Sequence, residues 1–121
     1  PLYVVTEMSL LSLRDTLRMM DYFRDTLRLK PPQVVASKVG IASRQEMGDA
    51  EFRKGLNADI AHHIPFAPDF FMNVGSEMEL LKHQKSPAYK ALHSMVRPLL
   101  PEGVEVEQEQ KKLLSFLSRA K

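Results

Sequence analysis

Pro1-Leu-Tyr-Val-Val5 is an uninterrupted apolar stretch, which ends at Thr6 and Glu7. A short run of this kind is typical of a strand buried within a parallel sheet. A helical pattern follows, and two further strand-like runs, residues 33–37 and 59–66, lie on either side of a second helical pattern. The order β-α-β-α-β predicts an α/β fold with a three-stranded parallel sheet of the doubly wound type.

Three strands are few for a parallel sheet, which needs neighbours at its edges and helices on both faces. We therefore expect this chain to be the C-terminal part of a larger α/β domain whose N-terminal part precedes Pro1. We expect residues 1–103 to belong to that domain and residues 104–121 to form a separate amphipathic helix.

Composition excludes several classes of protein. The 121 residues are 44% hydrophobic and 26% charged, with a formal net charge of +2, as in an ordinary globular domain. This charge is too small to indicate a nucleic-acid-binding protein by itself. The chain contains no cysteine, which excludes a disulfide scaffold, a thiolate metal site and a cysteine nucleophile.

Caps and breakers place the predicted helices. Ser9 is a suitable N-cap for a first helix, and the two prolines after Lys30 prevent that helix from continuing. Gly55 is the expected C′ residue of the second helix. Pro68 and Ser86-Pro87 begin later helices. The predicted helical spans are 9–29, 47–54, a segment from Pro68 interrupted at Gly75, 86–99 and 105–120.

Catalytic and metal-binding motifs are absent from the sequence. The glycines, at 40, 48, 55, 75 and 103, form neither a P-loop nor a dinucleotide-binding motif, and no catalytic residue is predicted. His62 and His63 are adjacent in a predicted strand, so they should point to opposite faces, and no metal site is expected. Phe66, Phe70, Phe71 and Met72 could form the wall of a base pocket, but the favoured prediction is that they are core residues, with Phe66 as the exception at a strand end.

The order of several short motifs resembles that of the MinD/ParA ATPases. Val4-Val5-Thr6-Glu7 followed by Ser12-Leu13-Arg14-Asp15 is similar to the family pattern V-V-T-x-P-x-x-x-S-(L/I)-R-D. Val34-Val35-Ala36-Ser37-Lys38 is similar to the V-x-N-(R/K) strand, and Ile64-Pro65-Phe66 with Pro68 to I-P-x-D-P. Within this superfamily the chain looks most like the CpaE (TadZ) branch, MinD-like proteins of Flp pilus assembly.

This resemblance implies a deviant-Walker, P-loop NTPase-like fold that holds ATP and Mg²⁺ within a homodimer. The phosphate-binding half would lie upstream, so this chain alone is expected to bind no cofactor and hydrolyse nothing, while the parent chain would be a weak ATPase or a degenerate one. Carried over from the family motifs, the adenine-contacting positions are Ser37, Lys38, Pro65, Phe66 and Ala67. Ser37 replaces the family asparagine and Ala67 replaces the aspartate, so a non-enzymatic scaffold is an alternative.

The C-terminal tail is basic and amphipathic, as in many MinD-type proteins. The resemblance implies that it lies on the membrane surface, whereas the simpler interpretation is a terminal helix docked on its own domain. The candidate membrane residues are Lys111, Lys112, Leu113, Phe116, Leu117 and Arg119. The implied location is the cytoplasm, peripheral on the inner membrane at a cell pole.

The implied partners are proteins of the pilus secretion machinery. An alternative within the superfamily is a ParA-like partition ATPase that binds DNA non-specifically. DNA is not the expected partner, because the arginines of the first helix alternate with aspartates, as in Arg14-Asp15 and Arg24-Asp25. An unrelated α/β enzyme is a third alternative, although it would need catalytic groups that the sequence does not contain.

Overall fold

A computed structural model describes residues 2–101 together with Ser115 and Arg119. Three strands alternate with helices along the described chain, and short helices follow the last strand. The strands are β1 (Tyr3–Glu7), β2 (Gln33–Val39) and β3 (Ile60–Pro65). The helices are α1 (Leu10–Asp21), a π-helical turn (Tyr22–Thr26), α2 (Asp49–Leu56), α3 (Pro68–Asn73), α4 (Glu77–Lys82), α5 (Pro87–Val96) and a 3₁₀ turn (Arg97–Leu99).

The three strands form one parallel sheet in the order β1-β2-β3. Val4 of β1 lies opposite Val34 of β2, and the register continues evenly to Glu7 opposite Ser37. The β2–β3 pairing is irregular after Val34 and after Ala36. This arrangement confirms the predicted α/β fold and the parallel direction of its strands.

The main core lies between one face of the sheet and helices α1 and α2. In β1, Val4 and Thr6 are buried whereas Val5 and Glu7 are exposed, because successive side chains point to opposite faces. The core cluster is Val4, Met8, Leu13, Val34, Ala36, Phe52 and Leu56. Thr16 of α1 joins it through a hydrogen bond between its hydroxyl and that of Thr6, at 2.9 Å.

Helix α5 covers the opposite face. Val35 is fully buried on that face, as is Ala88 in the first turn of α5. His62 pairs in register with Val35 and contacts α5 through a 3.2 Å hydrogen bond between its Nδ1 and Ser94 Oγ. The Tyr3 hydroxyl donates to the carbonyl of Met95. The β2 strand is therefore covered on both faces, which explains why three consecutive residues of it are buried.

The first helix begins where the sequence predicts, but its α-helical part is shorter. Ser12 N–H donates to Ser9 Oγ at 3.2 Å, which confirms the N-cap. The α-helix ends at Asp21, and the wider turn after it lets Leu27 N–H bond to the carbonyl of Tyr22. Arg28 then adopts a positive φ of 56°. The left-handed residue ends the helix, rather than the prolines that follow it.

The prediction that Gly55 lies just outside the second helix is wrong. Gly55 is inside α2, and Asn57 takes the left-handed C-cap conformation with φ of 52°. Asparagine tolerates this conformation better than most residues. Glycine is required at 55 for packing, because a Cβ there would lie 2.6 Å from Leu13 Cδ2.

The later helices begin at the expected residues. Pro68 opens α3, and Ser86 caps α5 by accepting a hydrogen bond from Tyr89 N–H at 3.1 Å. Of the predicted helix 105–120, only Ser115 and Arg119 belong to the described residues, and both are helical and exposed. The other tail residues predicted to contact membrane lie outside them. Among the described helices, none is both long and apolar enough to cross a bilayer.

Candidate functional site

The carboxyl ends of the three strands meet at one edge of the sheet, where α/β proteins place their ligands. The chain leaves this edge after Glu7 in β1, after Val39 in β2 and after Pro65 in β3. Phe66 N–H donates to the carbonyl of Val39 at 2.8 Å, which extends the β2–β3 pairing by one residue beyond Pro65. The segments predicted to form the site therefore converge here.

Lys38 and Glu7 form an ion pair across the ends of β1 and β2. The distance from Lys38 Nζ to Glu7 Oε1 is 2.5 Å, and both side chains are more than half exposed. Lys38 has a positive φ of 53°, at the second irregularity of the β2–β3 pairing. Because the pair is exposed to solvent, it contributes little to stability. Its ammonium group remains accessible to an anionic or polar ligand.

Ser37 is half-buried, and its hydroxyl donates to the carbonyl of Thr6 at 3.3 Å. The serine therefore ties β2 to β1 at the candidate edge. Its oxygen keeps acceptor capacity, but it has no second polar atom with which to read both a donor and an acceptor of a base. Ser37 offers fewer ligand hydrogen bonds than the asparagine that it replaces in the family pattern.

Phe66 presents an exposed ring at the end of β3. Its side chain is 45% exposed, and Ala67 next to it is the N-terminal flanking residue of α3. The prediction of core residues around this point is correct only for Phe70, which is buried against the rings of Phe71 and His83. Phe71 and Met72 are exposed. They lie on the outer side of a helix of only six residues, which has room to bury one side.

The loop after β2 contains a feature that the sequence does not predict. The Glu46 carboxylate accepts hydrogen bonds from Gly40 N–H at 2.6 Å and from Ala42 N–H at 3.0 Å. Gly40 and Ala42 both have positive φ, so their amides converge on one side of the loop. Met47 N–H donates to the carbonyl of Met8, which fixes the loop against the end of β1. Gly40 was the single sequence signal of this turn.

A second cluster of polar side chains connects β3 to α2. His63 Nε2 lies 2.5 Å from Asp49 Oδ1, and Arg53 pairs with both Asp49 and Asp59. The hydrogen bond from His63 is the largest cause that lowers the pKa of Asp49, and Arg53 lowers it further. His62 is half-buried and His63 exposed, as the alternation along a strand predicts. No group of potential metal ligands occurs among the described residues.

The lowered pKa of Asp49 gives a testable pH dependence. A carboxylate whose pKa is lower in the folded state stabilises the fold above its unfolded pKa, and this contribution disappears as the pH falls through the folded pKa. Replacing His63 with alanine should raise the pKa of Asp49 towards its ordinary value, with Arg53 keeping part of the effect. Carboxyl carbon NMR during an acid titration measures this. His93→Ala, on α5, is the control. If the pKa of Asp49 were unchanged in His63→Ala, His63 would not be the cause of its lowering.

Two solved structures share this arrangement of strands and helices. The MinD cell division protein of Aquifex aeolicus superposes with a TM-score of 0.65 at 20% identity, over 84% of this chain and 44% of that one. A ParA family ATPase from Chlorobium tepidum TLS gives a TM-score of 0.62 at 21% identity, over 81% of this chain and 40% of that one. The chain has a MinD/ParA ATPase-like fold.

This MinD/ParA-like chain spans less than half the length of either of those two structures. No protein-family model matches the sequence, and no curated protein matches it. The likeness to MinD and ParA therefore concerns the fold, while membership of the superfamily, the branch and the biological role are matters for proposal.

Proposed function

We propose that this chain is the adenine-facing part of a MinD/ParA-like nucleotide-binding protein that localises the assembly of a Flp-type pilus. The observation that carries the nucleotide part is the convergence of Lys38, Pro65 and Phe66 at the carboxyl edge of a parallel sheet of MinD/ParA type. Ser37 and Ala67 complete the proposed contact set. The pilus role is supported by the similarity of the sequence motifs to the CpaE (TadZ) branch.

The proposed site chemistry is recognition of a base. An exposed aromatic ring at Phe66 supplies a face for stacking, and the backbone after Pro65 supplies hydrogen-bonding groups. The Lys38 ammonium group supplies a cation at the same edge of the sheet. In the full-length protein, ATP would bind with Mg²⁺, and the phosphate-binding groups would come from residues other than these.

Titration calorimetry of the full-length protein with ATP and Mg²⁺ tests this proposal. Tight binding with turnover supports an ATPase, and tight binding without turnover supports a nucleotide-dependent scaffold. Absence of binding would contradict a nucleotide site. Ser37 and Ala67, at which the chain departs from the family pattern, would contact the base, so these departures bear on the affinity for ATP rather than on turnover.

A substitution at Ser37 tests the adenine contact directly. Ser37→Asn restores a side chain with both a donor and an acceptor, and one additional hydrogen bond of about 1 kcal/mol should raise the affinity for ATP about fivefold. Ser43→Asn, in the exposed loop, is the matched control and should leave the affinity unchanged. If Ser37→Asn leaves the affinity unchanged in a folded protein, residue 37 does not contact the base.

The remaining parts of the proposal concern assembly and location. A homodimer, contacts with pilus secretion proteins, and attachment of the tail through Lys111, Lys112, Leu113, Phe116, Leu117 and Arg119 to the inner membrane follow from the family resemblance. For the tail, circular dichroism of the peptide 105–121 with anionic vesicles is decisive. A gain in helicity supports membrane attachment, and its absence supports a terminal helix docked on the domain.

A further inference from the structure

The region from α4 to the end of the described body has an unusual charge distribution. Between Glu79 and Glu102 the sequence contains no acidic residue, although acidic and basic residues are nearly balanced in the chain as a whole. Four cations lie in this interval, at Lys82, Lys85, Lys90 and Arg97, and all four side chains are exposed. This interval therefore carries positive charge with no acidic side chain of its own.

Two of these cations, Lys90 and Arg97, lie on α5 and on the 3₁₀ turn that follows it. Ala88 is buried against the sheet, and Leu92 and Met95 on the same side are half-buried. Lys90, Ser94 and Arg97 follow at spacings of four and three residues, and all three are exposed. We call the exposed residues Lys90, Ser94 and Val96 of α5, together with Arg97 and Leu99 of the 3₁₀ turn after it, the α5 face. Within residues 2–101, neither of its cations forms an ion pair.

The arginines of α1 provide a contrast within the same molecule. Arg14 pairs with Asp15. Arg24, in the π-helical turn after α1, pairs with Asp21 and Asp25. These neighbouring carboxylates cancel most of the positive potential of the first helix. The α5 face lacks such carboxylates, so it attracts a polyanion more strongly than a surface with the same number of paired cations.

Aliphatic side chains accompany the cations. Val96 is 49% exposed and Leu99 is 48% exposed, on either side of Arg97. A bilayer interface accommodates both kinds of group, because cations meet the anionic headgroups while aliphatic chains enter the acyl boundary. A nucleic-acid backbone gains little from aliphatic contacts, and no exposed residue of α5 carries an aromatic ring that would stack on a base.

We propose that the α5 face lies directly on an anionic lipid bilayer. This surface consists of residues 90–99 and includes none of the tail residues 104–121, so the inference goes beyond the proposed tail attachment. The cations of the tail begin at Lys111, ten residues after Pro101. A body contact and a tail contact together provide the two signals that stable membrane attachment generally requires.

Sedimentation of the chain with phosphatidylglycerol-containing vesicles tests the proposal. Each cation near an anionic surface contributes about a fivefold increase in binding, so Lys90→Gln/Arg97→Gln should weaken vesicle binding by roughly 25-fold. The α1 pair, Arg14→Gln/Arg24→Gln, removes the same charge from two exposed guanidinium groups that already pair with aspartates. It should weaken binding by less than about threefold, through the change in net charge alone. Val96→Ser/Leu99→Ser should also weaken binding, since it removes the aliphatic contacts.

Several outcomes would overturn the proposal. Equal losses in the α5 and α1 pairs would show that only the net charge matters, and equal binding to neutral phosphatidylcholine vesicles would show that the cations do not contribute. Loss of binding in Leu113→Ser/Phe116→Ser with no effect in the α5 pair would leave the tail as the membrane contact and remove α5. Duplex DNA binding that is tighter than vesicle binding and sensitive to Lys90→Gln/Arg97→Gln would assign the α5 face to nucleic acid.

Discussion

Phe52→Ala should lower the free energy of unfolding by about 3–5 kcal/mol, the usual cost of removing a fully buried aromatic ring. Phe52 is 0% exposed, and it lies in the cluster that joins α2 to Val4, Leu13 and Val34. Truncation removes apolar area from the core and leaves a cavity that helices on a three-stranded sheet cannot readily fill. Because small domains have only about 5–15 kcal/mol of stability, this loss is a large fraction of the total.

Thermal and urea denaturation followed by circular dichroism measure this change. Phe71→Ala is the matched control, because it removes the same ring from a side chain that is 48% exposed. That variant should lose less than about 1 kcal/mol, as most surface substitutions do. If the two variants were equally stable, Phe52 would not be part of the core described above.

Gly55→Val is expected to have the second largest effect, a loss of about 1–3 kcal/mol, the usual cost of overpacking a core. Substitution of a helical glycine usually stabilises a helix, because glycine is a poor helix former. Here a Cβ would lie 2.6 Å from Leu13 Cδ2, and Leu13 is itself buried on the inner side of α1. The overpacking of two helices in contact therefore outweighs the gain in helix propensity.

A double-mutant cycle isolates this steric cause. Leu13→Ala removes the clashing methyl groups, so adding Gly55→Val to Leu13→Ala should cost much less than adding it to the wild-type chain. Urea denaturation of the four proteins gives the coupling free energy. Additive effects would mean that the conflict at residue 55 lies with another neighbour or with the backbone.

Local sequence patterns were sufficient to predict the order and direction of the elements. The apolar run ending at Thr6, the buried run from Val34 to Ala36 and the strand closed by Pro65 all became parallel strands. Ser9 and Ser86 were correctly predicted as N-caps because capping depends on residues within one turn of the helix. The candidate site residues, in contrast, were implied by the resemblance to the MinD/ParA family.

Interactions between distant parts of the chain were not predictable in the same way. The absence of a side chain at residue 55 is explained by the closeness of Leu13, which is 42 residues earlier in the chain. The left-handed conformation of Lys38, its pairing with Glu7, and the capture of two loop amides by Glu46 depend on how the strand ends meet. The sequence around each of these residues contains no pattern that would identify its interaction partner.

The sequence by itself determined a parallel α/β arrangement, because the spacing of apolar residues, prolines and caps acts over a few residues and fixes each element locally. It also determined that the interval between Glu79 and Glu102 contains cations without carboxylates. Only the tertiary structure decided that Lys90 on α5 and Arg97 on the 3₁₀ turn after it are both exposed, and that Lys38 pairs with Glu7. Packing of one element against another sets these positions, and such contacts join residues that the sequence places far apart.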